Sequence, residues 1–582
     1  MSDFPGKRIL SDEAATEKLD SGVRIAAETV GLTMGPKGWN VAIRIGKGSV
    51  GEGKLVNTKD GVFVMNHIKL EDPEEDMGAQ MAVEASRKTN DAAGDGTTCT
   101  VVLLHAMLQE ARKKVKVGSN PILIQQGMQI EKDTVVDFLK KFSMPVETPE
   151  DLFNVALVSC QDKDIAKKIS DIIQEVGKFG TVGVETITGP MNIDLRVQRG
   201  MHFDVGFEPR LTQMSAASVM GQLQKKSAMN LSWGNDGVGT LIFDEPVRQW
   251  NDVAHIFSAC IENDRKKLLI IGDFHDDAAV GLKTQMRGGI FEACTILRSH
   301  FGGDTGREIL KDIAIFTGAR FLSPSEGSMP TKNQKIGDID AILGSCTADI
   351  TMEAFSLTNG RGMQVEIASR IALIEQLMEQ GGLNEYEKQK YRERIARFKA
   401  GIGTITISAP TEVQQQSIRT RVDDAVCAVR SANEEGIVAG GGVALLRCHQ
   451  WLQMIPTGDT ANPDIQAGRE IVRDALLQPA RTIAEVSGED AGVRIAQLMR
   501  HDWQSKIGYD YWTEKECDLI KQGIIDPTKV VRLCMENAVS VVGELLRTRV
   551  TIVDLPSNEP EEPYLTPRDR ALKAHPRRIA QQ

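Results

Sequence analysis

The spacing of apolar residues predicts a chain with helical ends. Ala14, Leu19, Val23, Ala26 and Val30 recur at helical intervals, so residues 11–32 are predicted to form an amphipathic helix. Short alternating runs at 40–45 and 54–58 predict a hairpin after it. Helical spacing also predicts helices over residues 76–87, 101–114, 122–141, 369–399, 412–435, 443–454, 465–484, 489–501 and 529–547.

The middle of the chain has a different pattern. From about residue 195 to about residue 394, strand-like apolar runs alternate with helical ones, most clearly at 239–243, 267–272 and 293–297. This alternation is typical of an α/β layer domain.

Loops suited to phosphate binding occur only on either side of this middle region, within residues 33–98 and 424–526. The simplest interpretation is that the two ends fold together and that the middle is an insertion. Gly200 and Gly401 lie near its borders and are candidate hinges, because glycine tolerates large changes in backbone angles. An isolated glycine is more often a turn residue, and that alternative stays open.

Composition and charge argue against several classes of protein. A length of 582 residues predicts more than one domain, and a net charge of −11 argues against nucleic acid or an anionic membrane as the main partner. No apolar run approaches the length that spans a bilayer, and the first residues lack the apolar core of a signal peptide. The nine cysteines form no C-x-x-C pair, so we expect reduced thiols, no zinc site and a cytoplasmic location.

The candidate chemistry centres on residues 90–100, where Asp95 lies between two glycines and is followed by Thr97 and Thr98. Small residues let a phosphate approach the backbone, and the helix predicted behind them offers free N–H groups and the positive end of a dipole. A carboxylate repels phosphate, but it can hold a metal ion that neutralises the phosphates, or orient a water. The stretch therefore predicts a site that binds a nucleotide and is suited to cutting it.

Four further motifs have ordinary structural explanations when each is taken alone. Residues 48–54 nearly match a P-loop, but Leu55 stands where Ser or Thr would bind magnesium, so we interpret the stretch as a hairpin tip. The glycines at 440–442 could be a plain loop. Asp526 is suited to capping a helix that starts at a proline. Asp424 lies off the apolar face of its predicted helix and could be a solvated carboxylate.

Together and in this order, the motifs resemble those of the group I chaperonins, the GroEL family. The resemblance covers almost the whole chain. The matching stretches are TMGPKG at 33–38, TKDGV at 58–62, MGAQ at 77–80, NDAAGDGTT at 90–98, TEV at 411–413, RVDDA at 421–425, EEGIVAGGGVAL at 434–445, DPTKV at 526–530 and DLP at 554–556.

The resemblance implies a multidomain α+β chaperonin fold. A mostly helical equatorial ATPase domain would comprise residues 1–141 and 436–582, with a flexible tail from about residue 556. A small α/β intermediate domain would comprise 142–198 and 402–435. An α/β apical domain, 199–401, would be inserted in the middle.

Roles for individual residues are also implied by the resemblance. Asp95 would ligate magnesium, Asp60 would position the attacking water, and Asp424 would swing in from the intermediate domain to polarise it. The cofactors implied are ATP and Mg²⁺, with K⁺ as a further candidate. The other nucleotide contacts implied are Thr33, Met34, Gly35, Pro36, Lys59, Gly96, Thr97, Thr98, Gly441, Asp510, Ile524 and Asp526.

Two regions depart from the family pattern. Asp510-Tyr511-Trp512 stands where the family has Asn-Ala-Ala, so we expect different contacts to the base. In the apical region, His255, Ser258 and Lys283 stand at positions that are apolar in the family. The candidate client contacts that remain are Phe207, Leu211, Val253, Phe257 and Leu282.

The function implied is an ATP-driven chaperone that forms homo-oligomeric rings, expected to have seven members, and binds non-native client proteins. No nucleic acid or membrane is expected as a partner. Because apical positions that are apolar in the family are polar here, the sequence does not decide whether a lid-like co-chaperonin binds. A rival hypothesis is a ring scaffold tuned to one partner. A metabolic kinase is a third, but nothing in the chain indicates a small-molecule acceptor site.

Overall fold

The computed structural model describes residues 7–45, 54–177, 181–203, 205–212, 231–232, 237–331, 336, 338–352, 354–379, 385–399, 401–455 and 462–554. The chain divides into two compact units. The first unit comprises Met1–Glu147 and Cys427–Gln582, and the second unit comprises Thr148–Val426.

The helices and strands are numbered in chain order. The helices are α1 (Asp12–Gly31), α2 (Gly61–His67), α3 (Pro73–Ala93), α4 (Thr97–Lys116), α5 (Pro121–Phe142), α6 (Pro149–Cys160), α7 (Lys163–Val176), α8 (Ala254–Glu262), α9 (Asp276–Arg287), α10 (Asp304–Thr317), α11 (Gln364–Glu379), α12 (Glu385–Lys399), α13 (Glu412–Glu435), α14 (Val443–Met454), α15 (Pro463–Ala475), α16 (Gln478–Val486), α17 (Ala491–Leu498) and α18 (Thr528–Arg547). The strands are β1 (Lys7–Ser11), β2 (Val41–Ile45), β3 (Lys54–Thr58), β4 (Thr181–Thr188), β5 (Asn192–Phe203), β6 (Leu231–Ser232), β7 (Val238–Phe243), β8 (Lys267–Ile271), β9 (Glu292–Ile296), β10 (Phe321–Leu322), β11 (Gly344–Ile350), β12 (Phe355–Thr358), β13 (Gly401–Ala409), β14 (Ile437–Ala439), β15 (Ile507–Asp510), β16 (Lys515–Asp518), β17 (Ile525–Pro527) and β18 (Val550–Asp554).

The first unit is a helical layer built around α4 and α18. The predicted apolar stripe of α1 is buried, and its Leu19 and Val23 join a core formed with residues of α4, α5, α15 and α18. The two ends of the described chain pair as antiparallel strands, with Lys7 of β1 opposite Asp554 of β18. Beyond Asp554, the tail lies outside the described residues.

The predicted hairpin is present, because β2 and β3 pair antiparallel from Val41–Thr58 to Ile45–Lys54. Residues 48–53 of the stretch that nearly matches a P-loop lie outside the described residues. Among the residues that the structure describes, no helix is both long and apolar enough to cross a membrane.

Two predicted helices are each divided in the structure. The pattern at 465–484 forms α15 and α16, which are separated at Leu476 and Leu477. Pro479 lies in the first turn of α16, where its missing N–H costs no helical hydrogen bond. The pattern at 369–399 forms α11 and α12, and the segment between them, which contains Gly381 and Gly382, lies outside the described residues.

The second unit contains a mixed sheet in the order β4-β13-β5-β12-β11-β7-β8-β9, with β10 on β7 and β6 on β11. The runs predicted at 239–243, 267–272 and 293–297 form β7, β8 and β9, which pair in parallel. The helices α8 and α9, each with one buried face, connect them. A helical unit joined to this sheet confirms the multidomain α+β class.

The candidate hinge glycines lie within strands and not in turns. β5 pairs first with β13, ending with Arg199 opposite Gly401, and then with β12, beginning with Gly200 opposite Thr358. A Cβ added to Gly200 would stand 2.9 Å from the Thr358 methyl group and closer still to the carbonyl of Leu357. The close approach of the neighbouring strand accounts for glycine at this position.

Candidate nucleotide site

The loop around Asp95 joins the end of α3 to the start of α4. Gly94 ends α3 with a φ of 72°, and Gly96 precedes α4 with a φ of 87°, a backbone region that favours glycine. The Gly96 N–H donates to the Asp95 carboxylate at 2.5 Å. Because Gly96 has no side chain to accept from them, the first N–H groups of this 20-residue helix are left to an anion.

Asp60 and Gly61 bring the start of α2 against the start of α4. The Asp60 carboxylate caps α2 by accepting from the Val62 N–H at 2.8 Å. A Cβ added to Gly61 would stand 2.8 Å from Thr97 Oγ1 and closer still to Thr98 Oγ1. The backbone of Gly61 therefore lies against both threonine hydroxyls, and Asp60 lies beside the Asp95 loop.

Asp526 is the third carboxylate of this cluster, which we call the carboxylate cluster (Asp60, Asp95 and Asp526). It lies in β17, opposite Val438 of β14. Burial raises the pKa of Asp526 to about 7, and the charge of Asp95 adds to the effect. Burial also raises the pKa of Asp95, with a further contribution from Asp60, and that of Asp60 itself. Partly buried carboxylates that repel one another in this way favour a proton or a cation between them.

A second glycine loop lies next to Asp526. A Cβ added to Gly440 would stand 3.1 Å from Asp526 Oδ1, and the Gly440 N–H donates to the Ile524 carbonyl at 3.0 Å. Gly441 and Gly442 have φ values of 62° and 75°, and Gly442 precedes α14 without a side chain to cap it. A Cβ at Gly441 would meet no described atom within 4 Å, which leaves room for a ligand beside this helix start.

The loop after α1 approaches the same region through Lys59. The Lys59 ammonium donates to the Pro36 carbonyl at 3.1 Å, and burial lowers the pKa of Lys59. The Thr33 hydroxyl donates to the Val30 carbonyl at 2.8 Å, so it closes the end of α1. Gly35 has a φ of 80°, as the tight turn requires.

The hairpin of β15 and β16 reaches this loop with its tip. The side chain of Tyr511 is buried beside Ile483, and Met34 packs against the same cluster. Glu514 at the tip forms an ion pair with Lys37 at 2.9 Å. Both carboxylate oxygens of Asp510 are engaged in the tip, where they accept from the Trp512 N–H and the Thr513 hydroxyl. A contact of Asp510 with the nucleotide stays a prediction.

Asp424 is on α13, in the part of the helix that belongs to the second unit, and its side chain is half-buried. Its part in hydrolysis stays a prediction. Ile524 packs against a small core cluster of the first unit, and its contact with the nucleotide also stays a prediction.

The prediction of an apolar client surface needs correction. The ring of Phe257 stacks with those of Trp250 and Phe291, at 5.1 and 5.4 Å between ring centroids. The five predicted client residues belong to the core of the second unit, so they do not present apolar surface to a client. All five candidates are buried, with exposed fractions of 5% for Phe207 and Leu211, 1% for Phe257 and 0% for Val253 and Leu282.

Sequence reasoning missed the polar residues whose hydrogen bonds hold the backbone of the Asp95 loop. The Thr100 hydroxyl donates to the Gly96 carbonyl at 2.9 Å and pairs with the Thr89 hydroxyl, which accepts from the Asn537 amide. The Cys534 thiol donates to the same Gly96 carbonyl at 3.2 Å. Thr89 and Thr100 flank the loop in the sequence and could have been noticed, whereas Asn537 and Cys534 carry no local signal.

Comparison with known proteins gives one family and one fold. Residues 26–225 and 259–556 match the model of the TCP-1/cpn60 chaperonin family. The chaperonin gp146 from bacteriophage EL 2 (Pseudomonas aeruginosa), in the presence of ATP-BeFx, is similar in two crystal forms. Form II is 18% identical with a TM-score of 0.71 and covers 95% of this chain and 100% of that chain. Form I is 18% identical with a TM-score of 0.64 and covers 94% and 99%. At this identity the likeness shows the fold.

Proposed function

The chain belongs to the TCP-1/cpn60 chaperonin family, and we propose that its first unit binds and hydrolyses ATP at the carboxylate cluster. Membership in this family makes the protein an ATP-dependent chaperone and implies an oligomeric ring that binds client proteins. Rings of seven members, the use of a co-chaperonin and the equatorial, intermediate and apical boundaries are finer proposals that rest on the sequence motifs.

One observation carries the ATP proposal: three partly buried carboxylates, Asp60, Asp95 and Asp526, lie together beside the open start of a long helix. The N–H groups at the start of α4 would take the phosphate oxygens, and the Thr97 and Thr98 hydroxyls lie at the same helix start. The open space beside Gly441, next to Asp526, would take the ribose and base. Phosphoryl transfer needs mainly positioning and neutralisation of charge, and these groups are suited to both.

The carboxylate cluster fits a magnesium ion held together with ATP. Among the described residues, no three His, Cys, Asp or Glu side chains are grouped to chelate a metal by themselves. Mg²⁺ is commonly held by one or two carboxylates together with substrate phosphates and water, and the partly buried Asp95 carboxylate meets that requirement. When bound, the ion would neutralise phosphate charge next to these carboxylates. K⁺ remains a candidate second cation.

Asp60 and Asp424 divide the work on the attacking water in this proposal. Asp60 is held by its bond to the Val62 N–H, which orients its carboxylate beside the Asp95 loop. Asp424 belongs to the second unit, so its approach would depend on domain movement, and hydrolysis would be switched by closure. The change of partner at Gly200, where β5 passes from β13 to β12, supports a hinge at that point of the second unit.

The test is hydrolysis by Asp424→Ala. We expect the rate of hydrolysis to fall by several orders of magnitude while equilibrium binding of ATP is kept, because Asp424 would act on water and not on the nucleotide. Asp423→Ala is the matched control, since Asp423 is the adjacent carboxylate and already pairs with Arg419 at 3.4 Å. Unchanged hydrolysis in Asp424→Ala would remove the mechanism. Loss of ATP binding in Asp95→Asn, measured beside it, tests the site itself.

A second candidate function is a ring that serves one specific partner. The burial of the five predicted client residues favours it, as does the polar outer face of α8 and α9, where Ser258 and Asp277 are exposed. Affinity capture discriminates the two. One dominant stoichiometric partner supports a dedicated ring, whereas a broad set of unfolded proteins supports a general chaperone. Refolding of an aggregating client with and without ATP gives the complementary measurement.

A further inference from the structure

Two cysteines, Cys99 and Cys534, lie next to the loop that carries Asp95. Cys99 is in the first turn of α4 and Cys534 is in α18, and the two thiols lie close enough for Cys534 to raise the pKa of Cys99. The Cys534 thiol also donates to the Gly96 carbonyl at 3.2 Å. A Cβ added to Gly96 would stand 2.7 Å from the Cys534 sulfur, so this sulfur supports the backbone of the loop.

The two thiols differ in access. Cys534 is fully buried, whereas Cys99 is partly exposed. The neighbouring Cys534 thiol, burial, and the charges of Asp526 and Asp95 raise the pKa of the Cys99 thiol. The partly exposed Cys99 therefore lies near Asp526 and Asp95 of the carboxylate cluster.

We propose that Cys99 and Cys534 are a redox-modification site, and that their oxidation to a disulfide closes the nucleotide site. The consequence for ATP rests on the proposed function, whereas formation of the disulfide does not. The remaining cysteine of the first unit near this loop is Cys427, whose side chain packs against Gly94. A disulfide that contains Cys427 is therefore the alternative pairing, and the same experiment detects it.

Hydrogen peroxide is the oxidant we propose. The Cys99 sulfur takes one peroxide oxygen as the O–O bond breaks, which gives a sulfenic acid and one water. The Cys534 thiol then attacks that sulfur, so that the S–S bond forms, the S–O bond breaks and the hydroxyl leaves with the Cys534 proton as a second water. The two thiols lose two electrons and two protons, and the peroxide is reduced to two waters. Because Cys99 is a thiol at rest, the first step needs excess peroxide.

The disulfide would change the support of the loop. Sulfur atoms in a disulfide are about 2.05 Å apart, which is well inside the contact distance of two thiols. Drawing the Cys534 sulfur towards Cys99 takes it away from the Gly96 carbonyl, and the covalent bond ties the first turn of α4 to α18. We expect the phosphate-binding N–H groups to lose their alignment, with at least a tenfold loss in ATP affinity.

The experiment treats the purified full-length chain with excess hydrogen peroxide, quenches it with catalase, and divides the sample. One half is digested with trypsin without reduction, and mass spectrometry seeks residues 89–112, which contain Cys99, joined to residues 533–547, which contain Cys534. The other half is used for equilibrium ATP binding before and after dithiothreitol. We expect the joined peptides, weaker ATP binding, and recovery on reduction.

Three variants sharpen the result, each compared with its own untreated sample. Cys99→Ser and Cys534→Ser should give no joined peptide and should keep their ATP affinity through the peroxide treatment. Cys260→Ser changes a buried thiol of the second unit and should behave as the parent chain. No joined peptide, a joined peptide containing Cys427, or a disulfide with unchanged ATP affinity would each overturn the proposal. If the untreated chain fails to bind ATP, the proposed function fails, while the peptide result still decides the pairing.

Discussion

Gly61 lies so close to Thr97 that a Cβ added to the glycine would stand 2.8 Å from the threonine hydroxyl, and the Thr98 hydroxyl would be closer still. Gly61 is the first residue of α2 and directly follows Asp60. The missing side chain therefore lets the starts of α2 and α4 meet, and it couples the position of the Asp60 carboxylate to that of two hydroxyls.

We predict that Gly61→Ala weakens ATP binding more than it weakens folding. The new methyl group would push the Thr97 and Thr98 hydroxyls away from the helix start, although threonine side chains can rotate to relieve the clash. We expect a loss of about tenfold in ATP affinity, which is about 1.4 kcal/mol. Isothermal titration with ATP and a thermal melt without nucleotide measure the two effects.

Gly183→Ala is the control for this variant. It makes the same substitution on β4, where the added Cβ would meet no described atom within 4 Å. We expect no change in ATP affinity or melting temperature. An ATP affinity that stays at the parent value in Gly61→Ala would show that the hydroxyls do not contribute to the site.

We predict that Asp526→Asn stabilises the nucleotide-free chain at alkaline pH. Burial and the charge of Asp95 raise the pKa of Asp526 from 3.8 in the unfolded chain to about 7 in the folded chain. The folded state therefore binds this proton more tightly, and its stability falls as the pH rises from about 4 to about 7. The loss is of order 4 kcal/mol at most, since each pKa unit corresponds to about 1.4 kcal/mol.

An amide cannot ionise, so Asp526→Asn should melt a few degrees above the parent chain at pH 8, and the difference should shrink towards pH 5. The same variant should bind ATP more weakly, because Asp526 is a proposed ribose contact. Asp91→Asn, an exposed position of α3, is the control and should show no such pH dependence. A melting temperature at pH 8 at or below that of the parent would contradict the raised pKa.

The secondary structure was predictable where the apolar period is continuous. The pattern at 412–435 matches α13 to the residue, and the hairpin of β2 and β3 follows from alternation. The division between α15 and α16 was not predictable, because apolar residues continue in helical register through Leu476 and Leu477. Periodicity reports a buried face and is insensitive to a short break within it.

The candidate site was predictable only as separate loops. Glycines beside Asp95 and at 440–442 mark backbone that a phosphate can approach, and both precede helices in the structure. The contact of Gly61 with two hydroxyls comes from packing between distant segments and leaves no local signal. Phe257 was predicted to contact clients but lies in the core of the second unit. The sequence cannot separate the two, because an apolar residue on a helix has the same spacing whether it faces a client or the core.

We predict that the ion pair of Lys37 and Glu514 ties the tip of the β15–β16 hairpin to the loop after α1. Their charged groups are 2.9 Å apart and partly exposed, so the pair should contribute about 0.2–1 kcal/mol and weaken at high salt. A double-mutant cycle with Lys37→Ala and Glu514→Ala, read by ATP affinity at low and high salt, measures the coupling. Zero coupling at low salt would show that the hairpin tip is independent of the loop.

We predict that Phe257 and Val280 have separable effects in the second unit. Phe257 is 1% exposed between two aromatic rings, so Phe257→Ala should cost about 3–5 kcal/mol of stability. Val280, on α9, is 62% exposed, so Val280→Ser should leave the melting temperature nearly unchanged.

If clients bind near α9, only Val280→Ser should reduce their capture per folded molecule, and Val280→Ile should keep it. Calorimetry and suppression of client aggregation give both readouts. A stable Phe257→Ala variant that has lost capture would return Phe257 to the client surface and require α8 to turn outward.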